Sequence, residues 1–383
     1  MNILQITPFF SPNIGGVETH LNDLVKELAK NKIYSQVLTY QPVMSTEKAL
    51  SFESVGEYIK IRRLEIPRNL FLKLEPYPIL DFLLLTPILL FYSIYFLIKS
   101  NNKFDLIHAH GLNAALIGCI LKFFFKKPLV VSTHVTYSLE NSILSKIVFK
   151  IFEYSDFILT LSKASKNELK NLGISEKKIE VYRYWVDQEM FCIRDKTQLR
   201  KKHKFNSTDF ITIFVGRLIE KKGVIPLIEG FNLIDKKNHK LLIAGTGPLE
   251  NYVIQNTKKN QNIFYLGGLK SEQLKDFYSL SNTLIIPSTH DEGFGRVILE
   301  ALSCGIPVIG SNRGGIPEAV NKEVSILFDV SIKNVSESII EMEERISKKG
   351  EEYFSKVSRE FAEKNYSCDN INTFIKIYEK IIK

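Results

Sequence analysis

The sequence predicts two doubly wound α/β domains in tandem, each built on a parallel sheet. Three observations carry this expectation. At 383 residues the chain is long for one hydrophobic core. Short β-branched runs alternate with longer helical patterns through the first half. The same alternation restarts at Ile211.

In the first half, NILQIT (2–7), SQVLTY (35–40), YIKIRRL (58–64), DLIHA (105–109), PLVVST (128–133) and FILTL (157–161) read as strands. VETHLNDLVKELAK (17–30) reads as a helix, with Leu21, Leu24, Val25 and Leu28 on one stripe. Near-continuous apolar strands between helices indicate a parallel sheet covered on both faces. ITIFVGR (211–217), KLLIAG (240–245), NIFYL (262–266), TLIIPS (283–288) and IPVIGS (306–311) are the strands of the second half. The polar, basic stretch Arg194 to Asp209 reads as the linker region. DNINTFIKIYEKIIK (369–383) reads as an amphipathic helix. The expected division is 1–190 and 191–364, with a final helix, about 365–383, packing back on the first domain. Two such domains would face each other across a cleft, and ligands of doubly wound sheets bind outside the carboxyl ends of the strands.

Composition narrows the function. Apolar residues make up 45% and charged residues 24%, as in a well-packed globular protein. Cys119, Cys192, Cys304 and Cys368 form no CxxC pair. Neither a disulfide framework nor a zinc site is indicated, and a reducing cytoplasm is expected. The start, MNILQITPFF, reads as a first strand and not as a signal peptide. The net charge of +9 suits nucleic acid, anionic lipid or an anionic substrate. Basic residues seldom interleave with aromatics here, which disfavours nucleic acid.

The unusual residues fall just after strands. SPNIGGVE places Gly15-Gly16 and Glu18 at a helix start, where free N–H groups favour an anion; a tight loop with a first-turn charge explains it equally well. His108, His110 and His134 follow apolar strands, without metal-like spacing. In GRLIEKKG, Arg217 and Lys222 suit a diphosphate, against a solvated basic loop that Lys221 would favour. AGTGP (244–248) reads as nucleotide contact or as a turn. In THDEGFGRVILEA, Glu292 and Glu300 stand eight apart across Gly293 and Gly295. Glu292 then lies in a loop and Glu300 in a helix, facing one bound molecule; a helix cap plus a surface charge is the alternative. SNRGGIPEA adds Gly314, Gly315 and Glu318.

In order, these motifs resemble the retaining glycosyltransferases of family 4, which have the two-domain GT-B fold. They are G-G-x-E, a strand-end histidine, G-R-L-x-x-x-K-G, E-G-F-G-x-x-x-x-E-A and G-G-x-x-E. The resemblance runs across nearly the whole chain. It implies an acceptor-side N-terminal domain and a nucleotide-sugar-binding C-terminal domain. It implies Glu300 on the ribose and Glu292 on the transferred sugar, with backbone N–H groups of Gly293, Phe294 and Gly295 nearby. Arg217 and Lys222 would neutralise the leaving diphosphate, Gly16 would approach it, and His134 would face the reacting sugar. Glu18 and His110 are candidates on the acceptor side. No cofactor and no catalytic metal are expected. Tyr184-Trp185-Val186-Asp187 departs from the Asn-Gly-Val-Asp of many relatives, which bears on the hinge or the acceptor side.

Ile79 to Ile98 is long and apolar enough for a transmembrane helix. Topology argues against a span, because residues 2–40 and 105–133 would fall on opposite sides of the bilayer while sharing one sheet. Asp81 and Pro87 weaken it further. The segment is then a covered helix or one lying in the membrane interface. LKFFFKKP (121–128) and SKIVFKIF (145–152) mix lysines with aromatics as interfacial segments do. The expectation is therefore a transferase peripheral on the inner face of the cell membrane, with a nucleotide-sugar donor and a lipid-linked glycan acceptor. An inactive nucleotide-binding, membrane-docking module and a retaining glycosidase using Glu292 and Glu300 are the competing readings.

Overall fold

A computed structural model of the chain describes residues 1–13, 15–42, 48–66, 78–134 and 143–382. Ile14 and Lys383, parts of the segments quoted above, lie outside the described residues. The chain divides into two compact units, Met1–Tyr184 with Cys368–Lys383, and Trp185–Ser367.

The first unit holds β1 (Asn2–Ile6), α1 (Gly16–Lys30), β2 (Tyr34–Tyr40), β3 (Phe52–Val55), β4 (Ile59–Leu64), α2 (Pro78–Lys99), β5 (Leu106–His110), α3 (Gly111–Phe125), β6 (Leu129–Ser132), α4 (Ile143–Tyr154), β7 (Phe157–Thr160), α5 (Lys163–Asn171) and β8 (Ile179–Val181). Its sheet runs β3-β4-β2-β1-β5-β6-β7-β8. All neighbours are parallel except β3, which lies antiparallel to β4 at the edge. β5, β6 and β7 are buried along their whole length, as strands covered on both faces must be. Residues 2–40 and 105–133 do share one sheet, through the pairing of β1 with both β2 and β5.

The second unit holds α6 (Lys196–Lys202), β9 (Phe210–Val215), α7 (Val224–Phe231), β10 (His239–Ala244), α8 (Glu250–Lys259), β11 (Ile263–Gly267), α9 (Ser271–Leu280), β12 (Thr283–Ile286), α10 (Arg296–Ser303), β13 (Val308–Ser311), β14 (Ser325–Phe328), α11 (Ile332–Lys349) and α12 (Glu351–Tyr366). Its parallel sheet runs β11-β10-β9-β12-β13-β14. The order reverses between β9 and β12, which is where a doubly wound sheet opens a crevice. The stretch Arg194 to Asp209, read as the linker region, lies inside the second unit and carries α6. Asp195 caps α6 by accepting from the Gln198 N–H at 3.0 Å, and the buried Arg200 ties α6 to the Leu280 carbonyl and to Asn282. The last helix, α13 (Ile371–Ile382), belongs to the first unit, where it buries Ile371, Phe374, Ile377 and Tyr378.

The helix α2 is neither a buried core helix nor polar on its outer side. Leu85, Leu89 and Leu97 join the core of the first unit, whereas Leu83, Phe91, Tyr95 and Ile98 are exposed. By length and composition it could cross a membrane, with 28% of its apolar window buried.

Candidate functional site

In the second unit the loops after β9, β12 and β13 are locked together by backbone contacts. Gly223 has φ +71°, and a Cβ there would lie 1.8 Å from the Pro287 carbonyl oxygen. The Thr289 N–H donates to the Lys221 carbonyl at 3.0 Å. The third loop closes on the second in the same way. The Gly315 N–H donates to the Glu292 carbonyl at 2.7 Å, and a Cβ on Gly314 (φ +55°) would come within 2.4 Å of that oxygen. The paired glycines therefore have a packing reason: only a bare backbone lets the two loops approach this closely. AGTGP has one too, since the Leu218 N–H donates to the Thr246 carbonyl at 2.9 Å.

These contacts fix the side chains that carry charge. Lys222 Nζ donates to Glu292 Oε1 at 2.5 Å, and Ser288 Oγ donates to the same oxygen at 2.6 Å. Among the described residues, Glu292 Oε2 takes no hydrogen bond. Burial alone would raise the Glu292 pKa; attraction to Lys222 and the two hydrogen bonds outweigh it, so the carboxyl titrates below its ordinary value. Glu292 is therefore a carboxylate at neutral pH. Arg217 is exposed on the loop after β9.

Glu300 sits in α10 with a different set of partners. Its Oε1 accepts from Arg296 Nε at 3.1 Å, one helical turn earlier, and its Oε2 accepts from the Tyr278 hydroxyl at 3.0 Å. Arg296, Glu300 and Tyr278 are all buried. Arg296 also donates to the Trp185 carbonyl at 3.3 Å. The two carboxylates thus belong to separate networks, each with its own cation. Sequence reasoning missed Arg296, although its i,i+4 spacing to Glu300 was a usable signal; Tyr278 left no such signal. Gly293 and Gly295 flank Phe294, whose ring is buried edge-on to Tyr366 at 5.8 Å and anchors the start of α10.

The first unit gathers the histidines. His134 Nδ1 is 3.1 Å from the Tyr184 hydroxyl, and His110 Nε2 is 2.8 Å from Gln5 Oε1. His108 is held by the Tyr378 hydroxyl at 2.7 Å and by Ser132 Oγ at 2.8 Å. The rings form a cluster: His108 and His110 are 4.0 Å apart, His110 and His134 are 5.7 Å apart. His20, which the sequence did not single out, lies tilted 3.9 Å from the Tyr184 ring and edge-on 6.1 Å from His134. Burial pushes His134 down to about 4 and His108 and His110 well below 6.5, so all three imidazoles are neutral at physiological pH. Gly16 is the first residue of α1, and the Glu18 carboxylate folds back over Gly15. Among the described residues no His, Cys, Asp and Glu side chains converge as a metal site.

Two doubly wound parallel sheets, with charged pairs at the strand ends of the second, place the molecule in the class of GT-B proteins. Residues 14–189 match the profile of Glycosyltransferase Family 4, and residues 195–361 match that of Glycosyl transferases group 1. The chain belongs to this family of group 1 glycosyltransferases. It is similar to an uncharacterized glycosyltransferase of Methanocaldococcus jannaschii, at 28% identity over 70% of this chain and 73% of that protein. It is similar to the GDP-mannose-dependent monoacylated alpha-(1-6)-phosphatidylinositol monomannoside mannosyltransferase of Corynebacterium glutamicum, at 25% identity over 88% of each. Among solved structures, Anabaena HepE in complex with UDP superposes with a TM-score of 0.78, at 20% identity over 99% of this chain and 100% of that one.

Proposed function

We propose that the protein is a retaining hexosyltransferase that moves a sugar from a nucleotide-sugar donor to a lipid-linked or membrane-borne acceptor, needing neither cofactor nor metal. The observation that carries this reading is the division of labour on Glu292. One of its oxygens fixes Lys222, and the other remains for sugar hydroxyls. In this reading Glu300 holds the ribose, with Arg296 and Tyr278 setting its rotamer. Lys222 and Arg217 neutralise charge as it develops on the leaving diphosphate. The backbone N–H groups of Gly293, Phe294 and Gly295 and the start of α1 at Gly16 add positive potential. His134 faces the reacting sugar, and Glu18 and His110 lie on the acceptor side. The bond from the anomeric carbon to phosphate breaks as the acceptor oxygen bonds to the same face, and the departing phosphate oxygen takes the acceptor proton.

Support for a nucleotide-sugar comes from HepE, solved with UDP. Support for a lipid-borne acceptor comes from the mannosyltransferase relative, named for a phosphatidylinositol mannoside. The exposed apolar side of α2 and the exposed Phe123 and Phe124 beside Lys126 favour work at the inner face of the cell membrane. The separate pairing of the two carboxylates disfavours a glycosidase, which needs both beside one bond.

The test is a thermal-shift panel of UDP-, GDP- and ADP-sugars on wild type and Glu300→Ala. One class should raise the wild-type melting temperature by mass action, and Glu300→Ala should lose most of that rise. No shift with any donor sinks the reading; an unchanged shift in Glu300→Ala removes the ribose role.

A further inference from the structure

No motif singles out His290, which lies two residues before Glu292 in the loop after β12. Its Nδ1 is 2.8 Å from the Lys221 carbonyl oxygen, in the loop after β9. The Thr289 N–H and hydroxyl reach the same oxygen at 3.0 and 3.3 Å. A carbonyl oxygen only accepts, so His290 Nδ1 must carry a proton. The neutral ring then has its lone pair on Nε2. That nitrogen takes no hydrogen bond among the described residues. It stands 4.0 Å from Glu292 Oε1, and the side chain is 35% exposed, within reach of a ligand.

A separation of 4.0 Å is too long for a direct hydrogen bond. Two acceptors, Nε2 and the Glu292 carboxylate, therefore stand side by side with no proton between them. Lys222 and Ser288 already occupy Glu292 Oε1, which leaves Oε2. Such a pair does not suit a single hydroxyl, which has one proton to give. It suits two donors on neighbouring atoms: adjacent hydroxyls of a sugar, or a hydroxyl beside an amide N–H. The competing role for His290 is a clip that ties the loop after β12 to the loop after β9. The Thr289 N–H makes that tie to the same oxygen, so the clip does not require an imidazole.

We propose that His290 reads the transferred sugar: its Nε2 accepts a hydrogen bond from a hydroxyl or amide N–H on the carbon next to the one held by Glu292 Oε2. The Lys221 carbonyl fixes the ring for this task. The inference rests on the reading that Glu292 binds the donor sugar, and it adds a substrate class to that reading. The transferred sugar carries two adjacent hydrogen-bond donors, and a deoxy, O-methyl or O-acyl group at the second position is selected against.

The experiment is calorimetry on the full chain at pH 8 with UDP-glucose, UDP-N-acetylglucosamine, GDP-mannose and ADP-glucose. It continues with the free nucleoside diphosphate and the monodeoxy analogues of whichever donor binds. His290→Ala should weaken the parent donor roughly three- to tenfold, the worth of about one neutral hydrogen bond, and leave the free diphosphate unchanged. One monodeoxy analogue should bind wild type more weakly by the same factor and bind His290→Ala as well as the parent does. His290→Gln, which places an amide oxygen near the position of Nε2, should restore most of the parent's affinity. A parent affinity unchanged in His290→Ala overturns the proposal. A loss shared equally by the free diphosphate overturns it too, and marks His290 as a clip for the whole loop. So does a His290→Ala protein that ranks every analogue as wild type does. Should wild type bind a free diphosphate but none of the nucleotide-sugars, the sugar-binding reading of Glu292 falls first and His290 falls with it.

Discussion

Acid should weaken the first unit at a pH where most carboxylates remain ionised. The perturbation is a fall from pH 7 to about 5. His134 has a folded pKa of about 4 against 6.5 for an open chain, because it is buried. In that interval the unfolded chain binds a proton that the folded chain refuses. Stability is therefore complete above about 6.5 and falls as pH drops towards 4. At pH 5 the difference amounts to about 2 kcal/mol for His134 alone. His108 and His110 shift in the same direction and add to the loss. The groups facing the cluster are other histidines, the hydroxyls of Tyr182, Tyr184 and Tyr378, and Gln5 and Ser132. The assay is urea unfolding across this pH range, fitted for two transitions because the chain has two compact units. One transition should move to lower urea as pH falls, and His134→Gln should flatten that movement. Midpoints unchanged between pH 7 and 5 would refute the reasoning.

Lys222→Ala should lower the transfer rate about a hundredfold at saturating donor, on the scale of one lost preorganised donor; a wild-type rate would remove Lys222 from the chemistry. Gly223→Ala should cost at least about 1–2 kcal/mol from its left-handed backbone, before the clash with the Pro287 carbonyl is counted, and an unshifted urea midpoint would contradict the loop packing. The protein should sediment with anionic liposomes, more weakly as salt rises. Phe123→Ser with Phe124→Ser should weaken that binding even at low salt, given an unchanged circular dichroism spectrum; wild type left in the supernatant at low salt would end the membrane reading.

Most of the strands that the sequence revealed have apolar runs buried on both faces, such as β5 and β9. β3 was not legible because its FESV is exposed at a sheet edge, and β8 because it is three residues long. The helix within Arg194 to Asp209 was hidden by its charge, although Asp195 followed by a lysine-rich turn is a capping signal. At the candidate site, the positions of Lys222, Glu292 and Glu300 just past strands could be read from motif spacing. Their partners could not: Tyr278 and Ser288 reach the two carboxylates only once the second sheet has formed. Of the histidine cluster, residues 108, 110 and 134 could be placed at strand ends, but their meeting with residues 20, 184 and 378 shows only in the folded first unit.

The bond between His108 and Tyr378 joins residues 270 positions apart. The second unit, Trp185–Ser367, is thus an insertion within the first. During synthesis the ribosome delivers all of it before the helix that seals His108. The inserted unit can complete its core as soon as it emerges, while the first sheet waits with one side of its histidine cluster open. Order of assembly is then reversed relative to order of translation: the half that is made first is finished last.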